Sequence, residues 1–267
     1  MKKIDKLRSR KDLKQGNIMK IGLNSTSKEG LLAKILGLLS HAQKFYIVTP
    51  NPEIILLAQK DRKLMQILNN ADLAIPDGVG LKLANRSLKI IKGREIFMSL
   101  MSLANKKSWK IFLLGGLGKE AEISKQKLEI SYKKIRLQAF TGPKLNEQAE
   151  PISEDDRTIQ YDTIKRINEF APKILFVGFG APKQEKWIYK WLPKLNVGGA
   201  MTVGGTFSYL AGHRRLPPKW VEKAGLEWLW RLLTEPQRLG RIFRAVIVFP
   251  IKVLIAKFIT AFKNTPM

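Results

Sequence analysis

The stretch KILFVGFGAPKQEKW, residues 173–187, moves from an uninterrupted apolar run into Gly178 and Gly180, then through Pro182 into helix-forming residues. Short apolar runs without polar alternation suit strands covered on both faces. Strand, glycine-bearing turn and helix together make the repeating unit of a parallel sheet.

Outward from this stretch the unit recurs. KFYIV (44–48), DLAI (72–75), KIFLLG (110–115), IRLQAF (135–140) and GAMTVGG (199–205) read as strands beside KILFVGFG (173–180). Helix-length segments fall at 52–69, 78–86, 94–105, 118–132, 157–170, 182–191 and 218–233, and MKIGLN near residue 20 reads as an edge strand. The expected fold is α/β: a Rossmann-like, mostly parallel sheet with helices on both faces.

Composition narrows the function. The chain has 267 residues, 45% of them hydrophobic, enough for a packed core. It has no cysteine, which excludes disulfides and thiolate metal sites. Its two histidines, His41 and His213, lie far apart, which argues against a histidine-rich zinc site. With 48 basic and 22 acidic residues the formal charge is +26, so the partners to expect are anionic: nucleic acid, anionic lipid or phosphorylated substrates. The excess sits at the ends. Lys2, Lys3, Lys6, Arg8, Arg10, Lys11, Lys14 and Lys20 crowd the first twenty residues against Asp5 and Asp12.

The N-terminal arm lacks the apolar stretch of a secretory signal, so the chain is expected to begin as written and to stay cytoplasmic. Residues 242–262, IFRAVIVFPIKVLIAKFITAF, are long enough to span a bilayer. Arg244, Lys252 and Lys257 oppose that, each costing roughly 2.5–3.5 kcal/mol near the bilayer centre, and Pro250 interrupts the run. The segment reads as lying on a membrane rather than crossing it; a helix packed on the domain is the alternative. The expected divisions are a basic arm (1–17), the Rossmann-like domain (18–212) and a basic, amphipathic, membrane-associating helical appendage (213–267).

In open parallel sheets, ligands bind beyond the carboxyl ends of the strands. Here those ends carry Thr49-Pro50-Asn51-Pro52-Glu53, Pro76-Asp77-Gly78-Val79-Gly80, Gly115-Gly116-Leu117-Gly118, the Gly178–Gln184 loop, and Gly204-Gly205-Thr206. Glycines such as Gly78, Gly116 and Gly180 let backbone N–H groups approach a phosphate or a sugar. Gly116 to Ala121 also fits the dinucleotide pattern G-x-G-x-x-A, but the acid expected at the end of the next strand is missing, which weakens a nicotinamide-cofactor reading. The acidic run at 154–156 could suggest a carboxylate pair for a divalent metal; Ser153 with Asp156 reads better as a capping box. Asp77 has two readings, a helix cap or a carboxylate placed to take a proton from a hydroxyl.

In combination the blocks TPNPE (49–53), ADLAIPDGVG (71–80), FLLGG (112–116), VGFGAPKQEKWI (177–188), VGGTFSYLAG (203–212) and PPKWVEKAGLEWLWRLLTEPQRLGR (217–241) resemble the WecG/TagA/CpsF glycosyltransferases, family 26, over about residues 18–242. The resemblance implies a bacterial, metal-independent, inverting transferase without cofactor. Its donor would be a UDP-sugar of the N-acetylmannosamine type, its acceptor a polyprenyl-diphosphate-linked N-acetylglucosamine, and its C-terminal appendage would bring the active site to the membrane. With the basic ends and no secretory signal, the expected place is the cytoplasmic face of an anionic membrane. Carried over residue by residue, the catalytic acid falls on Asp77. Substrate contacts fall on Thr49, Asn51 and Gln184, and the C-terminal arginines on Arg231, Arg238 and Arg241. Two departures stand out. The family's arginine three residues before the glycine matching Gly93 is Ile90 here, with Lys92 or Arg94 nearby as a substitute, and a common acid in the TFSYLAG block is Ser208. The arginines suit a diphosphate leaving group without metal. Trp220, Trp228 and Trp230 read as core or as interfacial anchors, with at least one expected in the core. The rival readings are a basic nucleic-acid-binding α/β protein, for which no recognisable module is present, and a nucleotide-dependent oxidoreductase.

Overall fold

The computed structural model describes residues 16–41 and 43–263, without the side chains of Arg238 and of residues 259–263. The basic arm expected at the N-terminus lies almost wholly outside the described residues. Six parallel strands form the central sheet: β3 (Phe45–Val48), β4 (Leu73–Ala74), β5 (Lys110–Gly115), β6 (Arg136–Phe140), β7 (Ile174–Gly178) and β8 (Gly199–Thr202). Their spatial order is β4-β3-β8-β7-β5-β6, every neighbouring pair parallel. The residues near position 20 form instead a separate antiparallel hairpin, β1 (Gly16–Ile18) and β2 (Ile21–Leu23). It touches the sheet through Asn24, whose N–H donates to Ala74 O at 2.8 Å and whose Oδ1 accepts from Ala74 N–H at 2.6 Å.

Both sheet faces are apolar, and the strands alternate between two cores. Phe45 and Ile47 face one cluster, with Ile111, Leu113, Ile174, Phe176 and Met201; Tyr46 and Val48 face the other, with Phe112, Leu114, Leu175 and Val177. The first is covered by α1 (Lys28–Ser40), α4 (Gly93–Lys106) and α5 (Glu120–Ser131), the second by α2 (Pro52–Lys60), α3 (Arg62–Asn70), α6 (Glu154–Phe170) and α7 (Lys183–Trp191). This alternation is what a strand period of two requires when both faces are buried. A Cβ on Gly199 would lie 2.3 Å from the Phe45 ring, so β8 approaches β3 only with glycine there.

Several helices differ from their expected spans. The segment 52–69 breaks at Asp61, which ends α2 and caps α3 by accepting Leu64 N–H at 2.9 Å. The Asp61 carboxylate also pairs with the buried Lys186. Residues 79–83 make a short 3-10 turn rather than a helix over 78–86. The segment 218–233 divides into α9 (Lys219–Lys223) and α10 (Glu227–Thr234) around Gly225, whose φ of +72° is open to glycine. A short helix, α8 (Thr206–Ala211), follows β8.

After a 3-10 turn at Pro236–Arg238 come α11 (Leu239–Phe243), a π turn at Arg244–Val248 and α12 (Phe249–Lys263). Pro250 lacks the N–H that an unbroken α-helix needs, and the π turn just before it absorbs the loss. Phe249 is fully buried and Val253 is 5% exposed, both in the core shared with α2 and α3. No helix among the described residues is long and apolar enough to cross a membrane.

Candidate active site

The carboxyl ends of β3, β4, β7 and β8 converge with α10 and α11 on two adjoining cavities. The smaller, about 160 Å³, is polar; Thr49, Arg94, Gly180, Gln184, Thr206 and Tyr209 are among its walls. The larger, about 410 Å³, is mainly apolar, with Pro52, Leu83, Ile90, Trp228, Val246 and Pro250 among its walls. Asn51, Glu53, Asp77, Lys92, Glu227, Arg231 and Arg241 border both. A third concavity, about 460 Å³, sits at the opposite end of the sheet. Its Lys44 and Lys173 donate to Pro193 O and Leu39 O, so they serve local chain ends, and no strand-end glycine loop reaches it.

Asp77 stands where the cavities meet. Its backbone N–H donates to Pro50 O at 2.9 Å, fixing the loop after β4 to the loop after β3. It does not cap the turn that follows it; Gly78 holds that position without a side-chain bond. Instead Oδ2 accepts the Gly93 N–H at 3.2 Å, at the start of α4, whose own cap residue Lys92 makes no side-chain capping bond. So Asp77 anchors a helix sixteen residues away and still faces the cavities. Gly93 permits that approach, since a Cβ there would lie 3.0 Å from Thr49 Cγ2 and 3.4 Å from Asp77 Oδ2. Burial pushes the Asp77 carboxyl above its ordinary range, although the Gly93 N–H, Arg231 and Lys92 pull it down.

The basic groups around it are held by carboxylates. Lys92 Nζ lies 2.5 Å from Glu227 and 3.2 Å from Glu222, and Arg94 Nη2 donates to Glu222 Oε1 at 2.7 Å. Those bonds hold the Glu222 carboxyl below its ordinary range despite partial desolvation. Arg241 Nε donates to Glu53 Oε1 at 2.7 Å, with Arg244 Nη2 3.7 Å away. Arg231 is different. Its Nε is buried with no hydrogen-bond partner among the described residues. Burial works against its charge, and Tyr209, Asp77, Glu227 and Glu235 together outweigh that.

Gln184 is 2% exposed; its Oε1 accepts Gly204 N–H at 3.1 Å and its Nε2 donates to Glu185 Oε1 at 2.8 Å. Asn51 Oδ1 caps α2 by accepting Ile54 N–H at 2.9 Å. Of the residues expected from sequence, Thr49, Asn51, Asp77, Arg94, Gly180, Gln184, Arg231 and Arg241 line the polar cavity, and Gly78 lines the apolar one. Gly116 borders neither, and its N–H donates to Gly178 O at 3.1 Å. The next N–H of that loop, from Leu117, is taken by Glu120 Oε2 at 2.9 Å. The side chain of Arg238 lies outside the described residues. Ile90 borders the apolar cavity while Lys92 and Arg94 reach the polar one.

Glu227 and Tyr209 line the site without having been singled out from sequence, and Glu53 and Gly93, present in the sequence blocks but given no role there, line it too. The spacing of Glu227 and Arg231, four residues apart on one helix face, was the available signal. None of the three tryptophans is in the core: Trp220 is 67% exposed and Trp228 38%, and the half-buried Trp230 donates to Arg215 O at 3.3 Å. The acidic run at 154–156 starts α6 as a cap: Ser153 Oγ accepts Asp156 N–H at 3.1 Å and donates to Asp156 Oδ2 at 2.7 Å. Among the described residues no group of three His, Asp or Glu side chains is placed to hold a metal ion.

Comparison with known proteins agrees with this architecture. The sequence model of the glycosyl transferase WecG/TagA/CpsF family matches residues 16–262. Among similar proteins is the N-acetylglucosaminyldiphosphoundecaprenol N-acetyl-beta-D-mannosaminyltransferase of Staphylococcus aureus. The sequences from strains NCTC 8325 / PS 47, COL and MSSA476 are each 31% identical over 217 residues, covering 79% of this chain and 80% of the relative.

Proposed function

The chain belongs to the WecG/TagA/CpsF family and is a glycosyltransferase, and from that premise we propose that it transfers an N-acetylmannosamine-type sugar from a UDP donor to a polyprenyl-diphosphate-linked N-acetylglucosamine. The reaction is inverting and metal-independent. It takes place at the cytoplasmic face of a membrane and makes a precursor of a cell-envelope polysaccharide or teichoic acid.

The observation that carries the reading is Asp77 at the junction of a polar and an apolar cavity. The donor's sugar and diphosphate suit the polar side, where Gly180, Gly204 and Gly205 offer close backbone approach. The acceptor hydroxyl enters at Asp77. Its oxygen bonds to the anomeric carbon as the bond from that carbon to the donor diphosphate breaks, the electron pair leaving on UDP. Asp77 takes the hydroxyl proton. One displacement from the far side inverts the anomeric centre. A carboxyl raised in pKa by burial is a better proton acceptor than a solvated one.

Charge develops on the departing diphosphate, and Arg231 and Arg241 border the cavity where it would sit. Arg231, buried with an unpartnered Nε, is positioned for that before any ligand arrives. Metal independence draws support from these fixed cations and from the capping role of Asp156. The test is a panel of UDP-sugars with a short-chain lipid-diphosphate-N-acetylglucosamine, read by product mass with and without EDTA. A mass gain of one N-acetylhexosamine, unchanged by EDTA, is expected. No product with any UDP-sugar refutes the transfer, and chelation that Mn²⁺ or Mg²⁺ reverses refutes metal independence.

A further inference from the structure

The larger cavity is oily where the chemistry is polar. Beyond Asp77 its walls pass from the charged groups into Pro52, Leu83 and Ile90 on one side and Trp228, Ala245 and Val246 on the other. Nothing in the transfer step itself calls for such a space. A volume of about 410 Å³ is in the range of true ligand pockets, far short of a whole polyprenyl chain.

Its position says what fills it. Asp77 borders both cavities, so with the donor and its diphosphate in the polar one, an acceptor whose hydroxyl reaches Asp77 has its lipid-bearing end on the side of the apolar walls. The mouth is apolar as well: Val79 and Leu83 are 47% and 56% exposed. Alongside it α12 is pinned by Lys257 Nζ, which donates to Leu83 O at 3.1 Å, and α12 presents Ile251 and Leu254 outward. An apolar path therefore runs from the charged junction to an apolar outer surface.

We infer that this cavity binds the diphosphate-proximal isoprene units of the acceptor lipid, so that the enzyme draws the start of the hydrocarbon chain out of the membrane and reads it. This rests on the acceptor assignment made above. The domain and the C-terminal helices each supply one wall, so the subsite exists only while the two are packed together. Ile90 belongs to it: an apolar residue at that position extends the oily wall to within two residues of Lys92.

The test uses the full chain, without lipid vesicles or detergent, and N-acetylglucosamine diphosphates esterified to methyl, citronellyl or farnesyl groups. The wild-type protein is expected to show a KM at least about tenfold lower for the farnesyl than for the methyl acceptor, because each buried methylene adds to affinity. Ala245→Phe, which fills the cavity, and Ile90→Asn, which makes its wall polar, are expected to bring the farnesyl-to-methyl ratio of kcat/KM close to one. UDP binding, measured separately, reports whether each variant is folded. Equal KM values for methyl and farnesyl acceptors in the wild type overturn the subsite, as does an unchanged ratio in both folded variants. A wild-type protein that glycosylates none of the three overturns the acceptor assignment instead.

Discussion

At Asp77 one carboxylate serves two ends. It fixes the start of α4 through the Gly93 N–H and borders both cavities of the site. Asp77→Asn keeps an acceptor oxygen for Gly93 but no longer takes a proton. The variant is therefore expected to fold and bind donor while losing roughly two or more orders of magnitude in kcat; near-normal turnover would reduce Asp77 to an anchor. Because burial raises its pKa, the acid limb of kcat/KM should lie above the ordinary aspartate value of 3.8. The buried Glu185 makes a separate case. Desolvation raises its carboxyl from 4.5 to about 7, against Gln184 and Arg241, and its Oε2 has no partner among the described residues. The folded protein then holds a proton that the unfolded chain releases, so stability falls as pH rises from 4.5 to about 7. The loss is on the order of 3 kcal/mol. Glu185→Gln should flatten that slope, so denaturant midpoints of variant and wild type compared at pH 5 and pH 8 check it; parallel slopes would show that Glu185 titrates normally. Asp77 was legible in the sequence because a strand end and two glycines surround it. The pairs Arg94–Glu222 and Arg241–Glu53 were not, because 128 and 188 residues separate the partners and only the fold brings them together.

Elements show the same division between local and distant causes. The strands were readable from their apolar runs, and the breaks at Asp61 and Gly225 were not, since a helical pattern continues across each. At the first, the Asp61 side chain caps α3 through the Leu64 N–H, and Lys186 on α7 reaches across to pair with the same carboxylate. What α12 does also depends on its two faces. Phe249 and Val253 point into the core, while Ile251, Leu254, Ile255 and Phe258 are at least half exposed and recur at helical spacing. A helix that exposes its apolar stripe while a second apolar face is already packed suits an interface with lipid. Replacing Ile251, Leu254 and Phe258 by serine should lower binding to anionic liposomes by tenfold or more, measured by co-sedimentation, with thermal stability nearly unchanged. Phe249→Ala should instead cost about 3–5 kcal/mol of stability. If the serine variant binds liposomes as well as the wild type, the outward stripe has another purpose.

Over the whole molecule, strand order was the least legible feature. The sequence announces six strands and which of their ends carry glycines, but the order β4-β3-β8-β7-β5-β6 places β8 between β3 and β7, a long-range choice that local patterns do not encode. That choice brings the loops after β3, β7 and β8 side by side around one site. Charge is a whole-molecule property too. The formal +26 is far more than the site's arginines and lysine require, and within the site those cations are largely matched by Glu53, Glu222 and Glu227. Much of the excess therefore lies outside the active site. From Arg214 to the end of the chain, eleven basic residues face Glu222, Glu227 and Glu235, in the same part of the chain that exposes the apolar stripe. Insertion of the stripe is insensitive to salt, whereas attraction of surface lysines and arginines to anionic headgroups contributes about 1 kcal/mol per residue near the surface and fades over a Debye length of about 10 Å at 0.1 M salt. Binding to vesicles rich in anionic lipid should therefore weaken by an order of magnitude or more as salt rises from about 0.05 to about 0.5 M, while residual binding to zwitterionic vesicles stays flat. Equal affinity for both vesicle types at low salt would mean that the positive charge serves some partner other than the membrane. Duplex or single-stranded nucleic acid bound with a steep salt dependence, in the absence of vesicle binding, would identify that partner.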